Sequence, residues 1–364
     1  GDLPDRHLVW SVVQDHETPD LFFAGTEFGI FFSMNRGENW IELTGGVPTI
    51  AFRDLEIQRR ENDLVGASFG RGFFVFDDYT ALRHVNEELL SGEAALFPVR
   101  DALLYVPSVP LGLREKSNQG GGLYVAPNPP FGAVLTYYLG ETLTTSKDVR
   151  HERERALRDA GEDVPFPGFE TLEEETREDE PIVVFTVRDA GGEVVRRFTG
   201  PATRGFHRVA WDLRYPPHTP TDVNAGTVTS LWEYPPAGPL VVPGVYSVSI
   251  AKLVNGDMVG MGAPQSFEVV ALENSTLPIA DRDEILAFQR RAGALLRKVL
   301  SADAAARDVE ERLPLIKLAI LETPGADPSL LERAREIELT LADIQKALSG
   351  DRTRSRYWEF TVPS

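Results

Sequence analysis

Leu21-Phe22-Phe23-Ala24-Gly25-Thr26-Glu27-Phe28-Gly29-Ile30-Phe31-Phe32 aligns without a gap with Leu64-Val65-Gly66-Ala67-Ser68-Phe69-Gly70-Arg71-Gly72-Phe73-Phe74-Val75. The spacing is 43 residues, and it also relates Asp20 to Asp63 and Gly29 to Gly72. A period of about 40–45 residues carrying several short strands is the signature of a propeller blade. In the first copy, strands are expected over residues 7–15, 20–26, 29–33 and 39–44, which are rich in aromatic and β-branched residues and bounded by turn formers. Two blades do not close a ring, because propellers generally need four to eight. The expectation is therefore the C-terminal part of a longer protein, with further blades upstream. The opening Gly1-Asp2-Leu3-Pro4-Asp5, neither a signal peptide nor a natural initiator, points the same way. The alternative is an isolated pair of sheets packed on the next domain.

Between the third and fourth strands of the first copy runs Ser33-Met34-Asn35-Arg36-Gly37-Glu38-Asn39-Trp40, a Ser-x-Asn-x-Gly-x-x-Trp turn. Ser33 and Asn35 are short enough to bond nearby backbone amides, Gly37 can take positive φ, and Trp40 can cover the apolar space beside the turn. The turn resembles the Asp-box (BNR) motif, Ser-x-Asp-x-Gly-x-x-Trp, with Asn35 in place of the Asp. The second copy has Phe76-Asp77-Asp78-Tyr79 at that place. Gly25-Thr26-Glu27-x-Gly29, Phe69-Gly70-Arg71-Gly72, Asp77-Asp78, Asn128-Pro129-Pro130-Phe131-Gly132-Ala133 and Trp211-Asp212-Leu213-Arg214 together resemble the last blades and following domain of bacterial sortilin-like, glycosidase-like Asp-box proteins. That resemblance covers most of the chain. It implies an exported protein, a structural role for the Ser33, Asn35, Gly37 and Trp40 turn, and a β-sandwich after the propeller.

Composition narrows the function classes. At 364 residues, 42% of them hydrophobic, the chain can bury two or three ordinary cores. It has no cysteine, which removes disulfides and thiolate chemistry but does not forbid export. A formal net charge of −19 disfavours nucleic acid and anionic lipid, since both need clustered Lys and Arg. No apolar run approaches the length of a membrane span.

Past the second copy, residues 81–92 read as a short polar helix or turn, and 94–100 as a strand leaving the propeller, whose domain is set at 1–106. Residues 107–131 form a Gly/Pro linker containing Gly120-Gly121-Gly122, which no Lys-Ser/Thr follows; it reads as a loop rather than an anion cradle. Short strands then recur through 132–274, at 133–139, 182–187, 193–198, 206–213, 245–251 and 266–272, as expected of a sandwich of immunoglobulin or fibronectin type. A charged insertion at 144–180 reads as a solvated helix followed by a mobile acidic loop around Glu173-Glu174-Glu175; it lacks the Asp-x-Asp-x-Asp-Gly run of a Ca²⁺ site. A Pro-rich loop at 216–243 carries Trp232 and Tyr234, which either stack on a sugar or pin the loop.

The hydrophobic period then becomes helical. Ile285, Phe288, Ala292, Leu295, Val299, Ala302, Ala306, Val309, Leu313, Ile316 and Ile320 follow three–four spacing over about 36 residues, with a kink expected at Pro314 and a break at 301–304. Asp327-Pro328 starts a second stripe that Gly350 stops. The expectation is an antiparallel helical hairpin over 275–350, burying its stripes, then a tail at 351–364.

No catalytic set emerges. The six histidines (His7, His16, His84, His151, His207 and His218) have no metal-ligand spacing, and no Gly-x-Ser-x-Gly occurs. No metal and no cofactor is expected. Fifty-six acidic residues prevent any choice of a glycosidase pair by sequence. Loops between second and third strands, and between blades, usually meet propeller ligands; here they hold Glu27, Phe28, Phe69, Arg71 and Arg53. Arg71, between two glycines, is the leading candidate for an anionic or sugar ligand, a structural salt bridge being its competing role. The expected function is a non-catalytic portion of an exported Asp-box propeller protein, whose partners are its upstream blades and a carbohydrate or peptide. The alternatives are part of a glycoside hydrolase with its carboxylates on upstream blades, and a sortilin-like peptide or protein receptor.

Overall fold

The two copies of the repeat fold as two antiparallel sheets in the computed structural model, which describes residues 2–107, 126–221, 236–272 and 281–359. The first sheet orders β1 (Val9–Gln14), β2 (Phe22–Thr26), β3 (Gly29–Ser33) and β4 (Ile41–Glu42); the second orders β5 (Phe52–Gln58), β6 (Asp63–Ser68) and β7 (Phe73–Phe76). The β2–β3 hairpin pairs Thr26 with Gly29, and Thr26 Oγ1 closes it by accepting the Phe28 amide and donating to the Gly29 carbonyl, both at 3.1 Å. The sheets share a core in which Phe23, Ile30, Phe52, Leu55, Leu64 and Tyr79 are buried. Each such side chain contributes about 1.5–3 kcal/mol by leaving water. The sheets approach closely at Gly25, where an added Cβ would lie 2.8 Å from the Phe52 carbonyl oxygen.

Strand alternation gives the second sheet two unlike faces. Phe74 and Phe76 turn into the shared core, while Phe73, 76% exposed, and Val75 point the other way.

After a 3₁₀ turn (Thr80–His84), α1 (Glu87–Ser91) leads to β8 (Ala94–Leu96) and β9 (Ala102–Leu104). These strands do not belong with the repeats. β8 pairs with β10 (Ala133–Leu139), and β9 lies parallel to β16 (Gln265–Ala271). The chain thus leaves the repeat sheets before residue 94, earlier than the Gly/Pro content suggested, because short apolar runs are placed by their partners and not by the composition beside them. Between β10 and β16 come β11 (Ile182–Asp189), β12 (Val194–Gly200), β13 (Gly205–Trp211), β14 (Gly244–Val254) and β15 (Asp257–Gly260). One sheet runs β13-β10-β8, the other β12-β11-β14-β16-β9 with β15 on β14. They face each other through Tyr137 against Phe185 (centroids 5.1 Å apart) and Trp211 against Tyr246 (5.5 Å).

The charged insertion folds into two helices, α2 (Ser146–Asp159) and α3 (Phe169–Arg177). The acidic run expected as a mobile loop is therefore helical. Arg150 of α2 explains it: its Nε donates to Glu175 Oε1 at 2.6 Å, its second terminal nitrogen to Oε2 at 2.7 Å, and its first to Glu154 at 2.5 Å. Thr145 and Asp148 close a capping box at the start of α2.

Contacts divide the chain into two units, Gly1–Leu213 with Pro243–Asn274, and Arg214–Val242 with Ser275–Ser364. The second is led by α4 (Arg282–Glu322) and α5 (Ser329–Ser349), followed by α6 (Arg352–Arg356). α4 is one unbroken helix of 41 residues that runs through Pro314, so the break expected at 301–304 does not occur. Bonds to α5 on both sides of Pro314 account for its continuity: Gln345 donates to Glu310 at 2.7 Å, and Lys317 to Glu338 at 2.5 Å. Burial departs from the expected stripe as well. Ala306 and Leu313 are buried, but Phe288 and Leu295 are exposed. Gly350 ends α5 at φ 82°. The expected glycine loop 120–122, Trp232, Tyr234 and the last residues of the tail lie outside the described residues.

Candidate functional site

Four of the side chains around the first ends of β1 and β5 form one stack. The Arg53 guanidinium carbon lies 3.4 Å from the Trp10 ring centroid and 5.0 Å from that of Phe69. The Trp10 indole N–H donates to Glu27 Oε2 at 2.9 Å, which fixes the ring against the cation. An arginine held between two aromatic faces keeps its N–H edge free to meet an acceptor, and each cation–π contact at such a half-exposed place is worth about 0.5–1 kcal/mol. Glu27, Phe69 and Arg53, expected at this site, are thus brought together, while Trp10 was expected only as a strand residue. The signal for it was present: Trp10 and Arg53 are themselves 43 residues apart, so equivalent positions of the two copies touch. The next pair repeats this, with Ser11 Oγ donating to Asp54 at 3.3 Å.

Phe28 and Arg71 stand apart from the stack. The Phe28 ring packs on His7 (5.2 Å), which in turn meets Phe31 edge-on (5.4 Å). Arg71 is exposed, and among the described residues no hydrogen bond or ion pair holds it. The structural salt bridge that competed for it is absent there.

The Ser33–Trp40 turn is tied by its own side chains. Ser33, fully buried, accepts the Gly37 amide at 2.8 Å and donates to Asn35 Oδ1 at 2.9 Å; that same oxygen accepts the Asn39 amide at 2.9 Å. Gly37 has φ 84°, and an added Cβ would meet the Trp40 ring at 3.2 Å. These groups satisfy each other, which leaves the turn little capacity for an outside ligand.

One buried polar cluster lacked any sequence signal. The Asp15 carboxylate at the end of β1 accepts from Tyr79 Oη (2.6 Å), two nitrogens of Arg83 (2.8 and 3.0 Å) and the Thr18 amide (2.7 Å). Arg83 also donates to Glu17 at 2.7 Å and to Asn62 at 2.6 Å. Burial alone would raise the Asp15 pKa, but the bonds from Arg83, Tyr79 and Thr18 outweigh it and lower it to about 2. Burial, and then the bond to Asp15, push the Tyr79 hydroxyl well up. The cluster joins the first repeat to the segment after the second, residues 64 and 68 positions apart, which a pattern of period 43 does not reveal.

Among the described residues, no group of three or more His, Asp and Glu side chains could hold a metal ion, and no helix is long and apolar enough to cross a membrane.

No family model matches the chain, and no curated protein matches it in sequence. Solved structures with partial likeness include the extracellular domain of the hybrid two-component system BT3049 from B. thetaiotaomicron (TM-score 0.19, 10% identity, 74% of this chain and 26% of that one). Another is PorZ, a surface component of the type-IX secretion system of Porphyromonas gingivalis (TM-score 0.18, 15% identity, 73% and 31%). The extracellular domain of the one-component system BT4673 from B. thetaiotaomicron gives a TM-score of 0.16 at 11% identity, over 73% and 25%. The chain spans about a quarter to a third of those proteins.

Proposed function

We propose that this chain is a non-catalytic portion of an exported Asp-box propeller protein and serves assembly and ligand binding. In this reading the two repeat sheets are blades, and the two sheets that follow form an immunoglobulin-like sandwich. The observation that carries it is the outer face of β7. Phe73 and Val75 point away from the shared core on the same face of one strand, and Phe69, 70% exposed, lies just before this strand. Apolar residues repeating on a strand face need a covering layer, and a neighbouring sheet of the same kind supplies one. The Trp10–Arg53 stack then lies on the innermost strands, where it meets a carbohydrate or peptide entering the ring.

The test is to read the native locus upstream of Gly1 and express that segment separately. The expected result is a set of repeats of about 43 residues that binds this chain, with Phe73→Lys abolishing the complex. An upstream frame without such repeats, or a complex indifferent to Phe73→Lys, refutes the proposal.

A further inference from the structure

A cavity of about 600 Å³ opens between the repeat sheets, the α1 segment and the β13-β10-β8 sheet. Phe32, Ile41, Leu43 and Phe76 form one wall, Leu82, Val85 and Leu90 a second, and Phe206 with Thr136 and Arg208 the third. This size is that of a small-molecule site, and its lining is mainly apolar, as such sites are.

The walls are tied so that the space cannot close by small shifts. The Arg208 guanidinium donates to the carbonyl oxygens of Asp77 and Asp78 and lies 5.2 Å from the Phe76 ring centroid. Tyr138 Oη donates to the Leu90 carbonyl at 3.1 Å, holding α1 to β10. The Phe206 ring is stacked on Phe97 at 5.8 Å. A cavity held open in this way is already shaped for an occupant, so little ordering cost is left for binding.

Strand register decides which charges face it. Ile41 pairs with Phe32 and shares its side, while Glu42 pairs with Phe31 on the other; Glu42 Oε1 lies 3.8 Å from the place a Gly29 Cβ would take. On β13, Phe206 and Arg208 pair with Tyr138 and Thr136, whereas His207 pairs with Tyr137 on the opposite side and is held at the Thr203 carbonyl at 2.6 Å. Arg208 is therefore the charged side chain that shares this side among the lining residues. Its bonds go to backbone carbonyls, and among the described residues no carboxylate lies within ion-pair distance; Asp77 and Asp78 act on it only from further away. Its Nε–H is unused. A guanidinium with spare donors beside an apolar cavity selects a carboxylate that carries an apolar body.

We propose that this cavity binds an amphipathic carboxylate of the fatty-acid type, its chain on Phe32, Ile41, Leu82 and Leu90 and its carboxylate on Arg208. The site is separate from the outer face of β7, so it stands whether or not further repeats dock there.

The probe is dodecanoate, titrated into the full chain below its micelle concentration and followed by calorimetry, with 1-dodecanol as the uncharged comparison. Saturable binding of one dodecanoate per chain is expected. Leu90→Trp, at the half-exposed mouth, should weaken it about tenfold or more by filling the space, and Arg208→Gln should weaken dodecanoate about tenfold more than dodecanol, the lost tie to Asp77 and Asp78 being common to both. Val259→Ser, on exposed β15, controls for unspecific adsorption and should change nothing. Absence of saturable binding, binding indifferent to Leu90→Trp, or equal losses for acid and alcohol in a folded Arg208→Gln would each overturn the proposal.

Discussion

Replacing Asp15 by Asn keeps the shape of the side chain and removes its charge. The carboxylate is fully enclosed, and the Arg83 side chain paired with it is only 9% exposed. Breaking a buried pair by neutralising one partner costs about 3–5 kcal/mol. Glu17 remains on Arg83 at 2.7 Å, so the lower end, about 3 kcal/mol, is expected. The pH dependence follows from the folded pKa of about 2 against an unfolded value of about 3.9. Because the folded value is the lower one, the stabilisation is complete above the unfolded pKa and is lost as pH falls from about 4 towards 2. That shift corresponds to about 2.5 kcal/mol. The assay is hydrogen exchange of the β2 and β6 amides in increasing urea, which reports opening of the repeat sheets without assuming that the whole chain unfolds in one step. Native chain and variant should differ by about 3 kcal/mol at neutral pH and by about 1 kcal/mol near pH 2. Other carboxylates cancel in this difference. A gap below about 1 kcal/mol at neutral pH, or one that stays constant down to pH 2, would refute the assignment of the cluster as a charged clamp.

Three further outcomes follow from local geometry. Gly25→Ala drives a methyl to 2.8 Å from the Phe52 carbonyl oxygen, and backbone cannot swing aside, so a loss of about 2 kcal/mol in the urea midpoint analysis is expected. Ser33→Ala leaves the Gly37 amide without its 2.8 Å acceptor and should cost about 1–2 kcal/mol by the same measurement, with Ser33→Thr intermediate. Arg150→Ala should speed hydrogen exchange throughout α3 and leave β10 unchanged, and high salt on the native chain should reproduce part of that effect.

The repeat was legible because its strands are short, aromatic and closed by turn residues at a fixed spacing. β2 and β3 lie where Leu21–Phe32 placed them, and β6 and β7 follow 43 residues on. Pairing between distant segments was not legible: Ala102 and Val269 meet in a parallel register that neither segment encodes alone. Charge density misled at Glu173–Glu175, since one arginine on α2 converts a repulsive run into a docked helix. The break expected at 301–304 does not occur, and bonds from α5 hold α4 on either side of Pro314. Of the candidate site, Arg53, Phe69 and Glu27 could be named from loop position, whereas Trp10 needed the added step of laying one repeat on the other. Arg208 offered no motif at all; it matters only through the register that turns it to the same side as Phe206.

The parallel contact of β9 with β16 sets an order of events during synthesis. Every pairing inside the repeat sheets joins strands that are near neighbours in sequence, so those sheets can form soon after residue 76 is made. β9 must wait until β16 exists, after most of the chain has been translated, and closing so long a loop is slow. Until then β9 presents bare N–H and C=O groups. The repeat sheets therefore emerge folded with an unpaired strand just behind them, and β16 is the latch that ends that exposure.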